Sequence, residues 1–187
     1  MSYVEDLRDT YFKFVALPWQ RNVAPAQRVW MAIYPPEHER RIRLHITDFD
    51  VATRKAGHPW GLVDITSSFE QWMASHEYRE QYFESPDLLE TGLPAFFDHL
   101  VERVRDRLGE HPEPDGVVGL LGAGTLFGLG DAVKVSALMN AVNDAIAGRL
   151  LVFFPGEQDG NSYRLLDARD GWNYLAVPIT PDEGRRR

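Results

Sequence analysis

The sequence predicts an α/β protein with a mixed, mostly parallel β-sheet and helices on both of its faces. Two runs, Gly116–Gly122 and Leu150–Phe154, are apolar without interruption, which is typical of strands buried on both faces of a parallel sheet. Segments with helical periodicity alternate with the strand-like runs, as in sheets that helices cover on each side. The last two strand-like segments have no helix between them, so we expect one antiparallel edge.

Three elements are predicted in the first third of the chain. Residues 3–16 have the pattern of a short amphipathic helix, and Gln27–Tyr34 is a β-rich apolar run closed by two prolines, which cannot continue a strand. Residues 37–55 are predicted as a helix, because Pro36 and the acids after it are typical of a helix start. The alternation of apolar residues at 42, 44 and 46 also allows a strand there.

The middle of the chain is predicted to be mainly helical. A short strand at 60–65 precedes a helix that runs to Tyr78. Thr66 or Ser67 can cap this helix, and Glu70 follows Ser67 at the spacing of a capping box. A second helix, expected to begin at Pro94, has the cleanest apolar stripe of the sequence. That stripe consists of Leu93, Phe97, Leu100, Val104 and Leu108.

The C-terminal part combines strands with one further helix. The strand at 116–122 leads into a glycine-rich loop and then a helix at about 131–147, which has an apolar residue on one face at every turn. Further strands are predicted at 150–154, 163–166 and 174–179. We expect residues 1–187 to form a single α/β domain with an acidic helical insertion at about 66–110.

The net charge of −8 is unevenly distributed along the chain. Residues 61–115 carry 13 acidic and 4 basic side chains, whereas the segments on either side are close to neutral. Nucleic-acid affinity depends on Lys and Arg that neutralise phosphates, so no direct nucleic-acid partner is expected. The acidic third has two interpretations, which are solvated helix faces and a docking surface for a basic partner.

Composition and motifs also indicate in which compartment the protein works and which kinds of catalytic chemistry it lacks. The absence of cysteine excludes disulfides and thiolate chemistry and fits a reducing cytoplasm. No apolar run approaches the roughly 18 residues of a membrane span, so we expect a cytoplasmic protein. His76–Glu80 matches only half of a zinc-protease motif, and no GxSxG motif is present. No catalytic residue, metal or cofactor is therefore predicted.

A glycine-rich loop, GAGTLFGLGD at 122–131, follows one of the buried strands. In P-loop and Rossmann-like three-layer folds such a loop binds phosphate through backbone N–H groups and the helix dipole. The motif is incomplete here: Gly122 and Gly124 fit GxGxxG, but Phe127 takes the third glycine position and Lys134 comes too late for a Walker loop. The alternative interpretation is a tight turn that lets the helix pack closely on the sheet.

The run Leu150–Asp167, LLVFFPGEQDGNSYRLLD, has the densest cluster of turn and polar signals. Its apolar strand is expected to stop at the Pro-Gly pair, with a polar turn at 157–161. Partners of open α/β sheets bind outside the carboxyl ends of the strands. If the strands at 117–122 and 150–154 are parallel neighbours, the glycine loop and this turn would form one crevice. The candidate binding residues are Gly122, Gly124, Asn140, Pro155, Gly156, Glu157, Asp159, Gly160 and Arg164.

Several of these candidates also have a purely structural interpretation. Arg164 suits an anionic or carboxylate partner, but it could equally form a surface ion pair with Glu157 or Asp167. Glu157 and Asp159 could be paired carboxylates for acid–base or metal chemistry, or acids that stabilise a turn. Asn140 could reach a partner or belong to an ordinary polar helix face.

The string GRLLVFFPGEQDGNSYRLLDARDGWNYLAVPIT at 148–180 resembles the BrxB family of bacteriophage-exclusion (BREX) systems. That family combines an apolar strand, a PG-(E/T)-x-(D/E)-G turn, an L/Y-R-L strand and an N-Y segment. The matching residues are Pro155, Gly156, Glu157, Asp159, Gly160, Arg164, Leu165, Asn173 and Tyr174. The upstream string GVVGLLGAGTLFGLGDAVKVSALMNAV is also similar to it, and the N-terminal half matches loosely. The chain departs from the family at Gly128–Ala132 and Lys134, so the resemblance assigns that loop no role.

The resemblance implies a small cytoplasmic protein needed for host defence, with no assigned catalysis. It implies work in an assembly with a PglZ-type alkaline-phosphatase-like protein, a DNA methyltransferase and a large ATPase. We therefore expect a non-catalytic adaptor subunit of a BREX-type system. The alternative is a nucleotide- or phosphate-binding protein, a degenerate NTPase that uses the loop at 122–130.

Overall fold

The computed structural model describes residues 2–168 and 171–181, which form an α/β fold. Among these residues an open mixed sheet of seven strands is accompanied by seven α-helices. The strands are β1 (Val29–Tyr34), β2 (Trp60–Asp64), β3 (Val117–Leu121), β4 (Arg149–Asp159), β5 (Ser162–Leu165), β6 (Trp172–Asn173) and β7 (Val177–Ile179). The helices are α1 (Tyr3–Val15), α2 (Glu39–Leu44), α3 (Ile46–Lys55), α4 (Ser68–Ser75), α5 (Arg79–Glu84), α6 (Leu89–Gly109) and α7 (Val135–Val142). The predicted α/β class with a mixed sheet is confirmed.

Five strands form a parallel sheet in the order β2-β3-β4-β1-β7. The other two, β5 and β6, are antiparallel and extend from the far end of β4. The expected antiparallel edge is therefore wrong for the last strand, which lies parallel to β1. A parallel strand needs a long connection that returns the chain to the starting end of the sheet, and the β5–β6 excursion is part of that connection.

Side chains of β1 alternate between two hydrophobic cores, one on each face of the sheet. Val29, Met31 and Ile33 belong to the core that α4, α6 and α7 cover. The alternate residues of β1 belong to the core that α1, α2 and α3 cover. All six side chains are buried, so β1 is an inner strand beside the central strand β4, as its apolar sequence predicts.

The helix predicted at 37–55 is in fact two helices that meet at His45. A 3₁₀ turn, Pro36–His38, leads into α2, and α3 begins directly after the break. His45 has φ −106° and ψ 9°, outside the helical region. The strand alternative is wrong, because Ile42 and Ile46 reach the same core from helical backbone.

The capping box predicted at Ser67 is not formed. Ser67 has φ −99° and ψ 13° and makes no side-chain capping bond, whereas capping needs an extended residue. The helix also ends at Ser75, three residues before the predicted end, because His76 is extended with φ −77° and ψ 133°. The short helix α5 follows and was not predicted from the sequence.

Helix α6 begins at Leu89, before its predicted start at Pro94. The earlier start brings Gly92 and Leu93 into the core, where an ideal Cβ on Gly92 would lie 3.5 Å from Cη2 of Trp72. The predicted apolar stripe is present with one change. Phe96 is fully buried, whereas Phe97, which the prediction placed in the stripe, is only partly buried.

Helix α7 is much shorter than the predicted helix at 131–147. Gly128 and Gly130 have left-handed φ values of +82° and +77°, and Lys134 is extended at φ −115° and ψ 145°. Helical backbone can therefore begin only at Val135. At the other end the helix becomes a 3₁₀ turn, Asn143–Ala145.

The acidic segment 66–110 connects the neighbouring parallel strands β2 and β3. Its helices contribute Trp72, Met73 and Leu100 to one of the two cores, so the segment is part of the packed layer on that face. No helix within the described residues is both long and apolar enough to cross a bilayer.

A buried arginine stands at the amino end of β4. The guanidinium carbon of Arg149 lies 5.2 Å from the ring centroid of Trp19 and 5.9 Å from that of Trp30. Its Nη2 donates to the carbonyl oxygen of Gln20 at 2.6 Å. Burial lowers the pKa of Arg149, and the positive charge of Arg28 lowers it further. This side chain ties the segment after α1 to the central strand through cation–π contacts and one long-range hydrogen bond.

Candidate functional site

The candidate site lies at the edge of the sheet where the parallel strands have their carboxyl ends. Strand β3 ends in the glycine loop at Gly122, and its parallel neighbour β4 crosses the same edge at Pro155. The two segments touch there, since an ideal Cβ on Gly124 would lie 3.1 Å from Cγ of Pro155. Open α/β sheets bind ligands and partners at this edge.

Strand β4 continues past Pro155 instead of stopping there, which corrects the predicted end at residue 154. Its pairing with β3 ends at Val152, and its pairing with β5 begins at Gly156. Pro155 falls between the two ladders, where its missing N–H costs no bond to β3 or β5. The part of β4 from Gly156 to Asp159, together with β5 and β6, is called the arm below.

The arm ends in a tight hairpin turn. The predicted turn at 157–161 shrinks to Gly160 and Asn161, because Glu157 and Asp159 are already in β4. Gly160 has φ +58°, and the amide Nε2 of Gln158 donates to its carbonyl oxygen at 2.6 Å. The hairpin therefore carries the Asp-Gly-Asn signal as predicted, with a shorter loop.

Arg164 pairs with Glu157 across the arm. The two residues are direct cross-strand neighbours, and the guanidinium Nη2 donates to a carboxylate oxygen of Glu157. Both side chains remain accessible, with 47% and 64% of their surface exposed. The pair is therefore a surface ion pair that contributes little to stability. Part of the guanidinium group of Arg164 remains exposed to solvent.

Aromatic rings support the arm from the core side. Tyr163 lies 5.4 Å from Trp172 and 6.0 Å from Phe154 between ring centroids, and its hydroxyl donates to the carbonyl oxygen of Ala176 at 3.2 Å. Burial raises the pKa of Tyr163 to about 12.

Just after β5, Leu166 has φ +50°, a left-handed conformation that costs a residue with a side chain about 1–2 kcal/mol. Strain of this kind is concentrated at functional sites.

A groove of about 470 Å³ separates the glycine loop from the segment that follows β5. Its walls are mainly apolar, and its rim carries an ion pair in which Lys134 Nζ lies 2.7 Å from Asp131 Oδ1. Hydrogen bonding to Lys134 lowers the pKa of Asp131. The chief lining residues are Leu126, Phe127, Val133, Val135, Leu165 and Trp172. The groove lies at the expected edge, but its second wall is formed by residues 165–168 and 171–172 and not by the predicted turn at 157–161.

The two glycines of the incomplete phosphate motif are packed against neighbouring chain. Gly122 has φ +99°, and an ideal Cβ there would lie 2.6 Å from the backbone nitrogen of Thr66. Gly124 faces Pro155, and helix α7 begins only at Val135. After Gly122 the chain makes a single 3₁₀ turn, Ala123–Leu126, and does not lead directly into the N-terminus of an α-helix, which is the arrangement that binds phosphate. The close contacts of both glycines favour a tight turn, with Thr66 and Pro155 as the packed neighbours in place of the following helix that the alternative interpretation expected.

A polar network at the same edge was not predicted from the sequence. The hydroxyl of Tyr34 donates to Glu39 at 2.5 Å, and Arg43 donates to Glu39 at 2.8 Å and to the hydroxyl of Thr66 at 2.9 Å. The backbone N–H and the hydroxyl of Thr66 both donate to Asp64. Burial, followed by the negative charge of Glu39, raises the pKa of Tyr34 above its ordinary value. The network ties the ends of β1 and β2 together through α2.

Asn140 is not brought to this edge. It is exposed on α7 and does not line the groove, whereas Ser136 of the same helix does. Of the other candidate residues of the sequence, Pro155 lies directly before the arm, and the rest lie on the arm or in the glycine loop. Within the described residues no cluster of three or more His, Asp or Glu side chains could hold a metal ion.

The fold and the site define a general class of protein. It is an α/β protein with a mixed sheet, an arm that extends from the central strand β4 and a mainly apolar groove at the carboxyl edge of the sheet. Comparison with family models, curated proteins and solved structures found no match to this chain.

Proposed function

We propose that this protein is a non-catalytic assembly subunit of a BREX-type anti-phage defence system, acting in the cytoplasm. The observation that carries the proposal is where the BrxB-like residues lie. Pro155 and Gly156 bring β4 into the arm, Gly160 forms its turn, and Leu165 lines the groove. The arm and the residues next to it thus contain the matching residues at 155–174, as expected for a surface that binds a partner.

The chemistry of the groove favours binding over catalysis. Its lining residues include no histidine, and their charged side chains are the pair of Asp131 and Lys134, 2.7 Å apart, and the carboxylate of Asp167. A general base or nucleophile needs a neighbour that activates it, and the hydroxyl of Ser136 in the groove makes no hydrogen bond to a His or carboxylate within the described residues. We expect the groove and arm to hold a protein, with the PglZ-like protein as first candidate and the methyltransferase or large ATPase as others.

We also infer that the sheet and its two helical layers are a degenerate relative of P-loop and Rossmann-like three-layer folds. The supports are five parallel strands in one sheet and cores on both faces. The departure is the glycine loop, in which Gly122 packs closely against Thr66 and Gly124 against Pro155.

The Arg164→Ala variant tests the assembly role. We expect its free energy of unfolding to fall by less than about 1 kcal/mol, because the lost ion pair is exposed. We expect capture of the co-expressed PglZ-like protein to weaken about tenfold, since a partner carboxylate would lose a bidentate donor. Affinity pull-down followed by size-exclusion chromatography measures the complex.

Arg107→Ala is the matched control for that experiment. Arg107 also forms an exposed ion pair, with Glu110 at 2.8 Å, but it lies on α6. Its replacement should leave capture unchanged. Equal capture by both variants, or no capture of any neighbouring BREX protein by the unmodified chain, would overturn the proposal.

Nucleotide or phosphate binding by the loop at 122–130 is the second candidate function. The left-handed turn at Gly122 after a buried strand is the feature that favours it, and the packed glycines count against it. We expect ATP, GTP, dinucleotides and inorganic phosphate at millimolar concentration to shift the melting temperature by less than about 1 °C. A saturable rise of several degrees in the melting temperature, abolished by Gly124→Ala, would make nucleotide or phosphate binding the preferred function over assembly.

A further inference from the structure

The segment of residues 77–90, called the α5 segment below, exposes large apolar side chains on the helical layer above one face of the sheet. Phe83 is 70% exposed, Tyr78 50% and Leu88 49%. Helix α5 buries none of its residues. Single exposed apolar residues are common on protein surfaces, but three within one short segment indicate an interaction site.

The α5 segment is weakly held by the rest of the molecule. Helix α5 has six residues and no side-chain cap at its N-terminus, and a helix of this length depends on packing for its stability. Within α5 itself the side chain packed against the core is Tyr82, whose ring lies 5.2 Å from that of His76 and whose hydroxyl lies over Gly92. The segment reaches the core again at its end, through Leu89 of α6. A partner that covered the apolar side chains would add the packing that this helix lacks.

The charge of the α5 segment defines the partner's chemistry. The segment carries five carboxylates, at Glu77, Glu80, Glu84, Asp87 and Glu90. None of them forms an ion pair within the described residues. Its arginine, Arg79, donates to the backbone oxygen of Ala74 at 2.6 Å. Acidic charge around exposed apolar groups is complementary to a segment that is both basic and apolar.

We propose that the α5 segment binds a basic amphipathic helix of a partner protein. This inference rests on the proposed assembly function and gives that assembly a second contact surface, on the face of the sheet that α4, α6 and α7 cover. The partner helix would place its apolar stripe on Phe83 and its neighbours and its Lys or Arg side chains on the carboxylates. Like-charge repulsion disfavours a second copy of this chain, nucleic acid and anionic lipid as occupants.

A fluorescein-labelled peptide of about 15 residues, with leucines at helical spacing and lysines elsewhere, is the probe. We expect fluorescence anisotropy to show saturable binding that weakens as ionic strength rises from about 0.05 M to about 0.5 M, since exposed charges are screened. Phe83→Ser should weaken binding about tenfold, the typical loss at an interface hot spot. The double replacement Glu80→Lys with Glu84→Lys should do the same.

Two controls keep this test specific. Leu44→Ser removes an apolar side chain that is 76% exposed on α2, on the other face of the sheet, and should leave binding unchanged. A peptide of the same composition with scrambled leucines should bind about tenfold more weakly, because it has no apolar face. Equal binding by Phe83→Ser and Leu44→Ser, or equal binding of both peptides, would overturn the proposal.

The outcome is separable from that of the assembly function. Failure of the peptide with an intact pull-down of the PglZ-like protein overturns only the role of the α5 segment. Loss of the pull-down with peptide binding intact overturns the BREX assignment and leaves the docking surface in place. Circular dichroism of each variant checks folding, which these exposed replacements should not change.

Discussion

Replacing Gly156 with alanine should destabilise the protein by about 3 kcal/mol, the upper part of the range for overpacking. An ideal Cβ at this position would overlap the carbonyl oxygen of Arg164 and lie 2.8 Å from Cε1 of Phe154. The oxygen belongs to the backbone of β5, so relief requires the two strands of the arm to separate. Urea unfolding followed by circular dichroism measures the loss.

Gly109→Ala is the control for that variant. Gly109 ends helix α6, and nothing lies within 4 Å of an ideal Cβ there. Alanine in a helix is favoured over glycine by roughly 0.5–1 kcal/mol, so this variant should be neutral or more stable. A Gly156→Ala protein as stable as Gly109→Ala would mean that the close approach between β4 and β5 does not exist.

Gly122→Ala should destabilise the protein by a similar amount, about 3 kcal/mol, through two effects. The left-handed backbone costs alanine about 1–2 kcal/mol, since φ is +99°. The methyl group would also lie 2.6 Å from the nitrogen and 2.9 Å from the Cα of Thr66. Displacing Thr66 disturbs the hydrogen bonds from Arg43 and to Asp64. Thermal and urea unfolding give the difference.

Gly128→Ala separates the two effects. Gly128 also has a left-handed φ, +82°, but nothing lies within 4 Å of an ideal Cβ. It should therefore cost only the backbone term, about 1 kcal/mol. If Gly122→Ala costs no more than Gly128→Ala, the packing of the glycine loop against Thr66 is refuted, and the case for an open phosphate-binding loop improves.

The parts of the fold that could be predicted are those that local pattern determines. Continuous apolar runs marked β1, β3 and the first half of β4, because strands buried on both faces have no polar side. Helical spacing likewise predicted α1 and the stripe of α6. The edge where the glycine loop meets β4 followed from the parallel order of these strands.

The parts that could not be predicted depend on distant contacts. The start of α7 depends on the left-handed backbone of Gly128 and Gly130, and the sequence alone does not show which glycines adopt that conformation. The extension of β4 past Pro155 depends on β5 replacing β3 as its partner. Arg43 and Thr66 are 23 positions apart. The local signals of that network were the i, i+4 spacing of Glu39 and Arg43 and the two-residue spacing of Asp64 and Thr66.

The uninterrupted course of β4 has a mechanical consequence. One strand runs from the buried Arg149 to the hairpin at Gly160, with β3 and β1 beside its first part and β5 beside its last. A pull on the hairpin tip is therefore carried as shear by the ladder bonds of the central sheet. Because β4 contributes side chains to both cores, we expect a load at the tip of the arm to reach the helical layers on both faces.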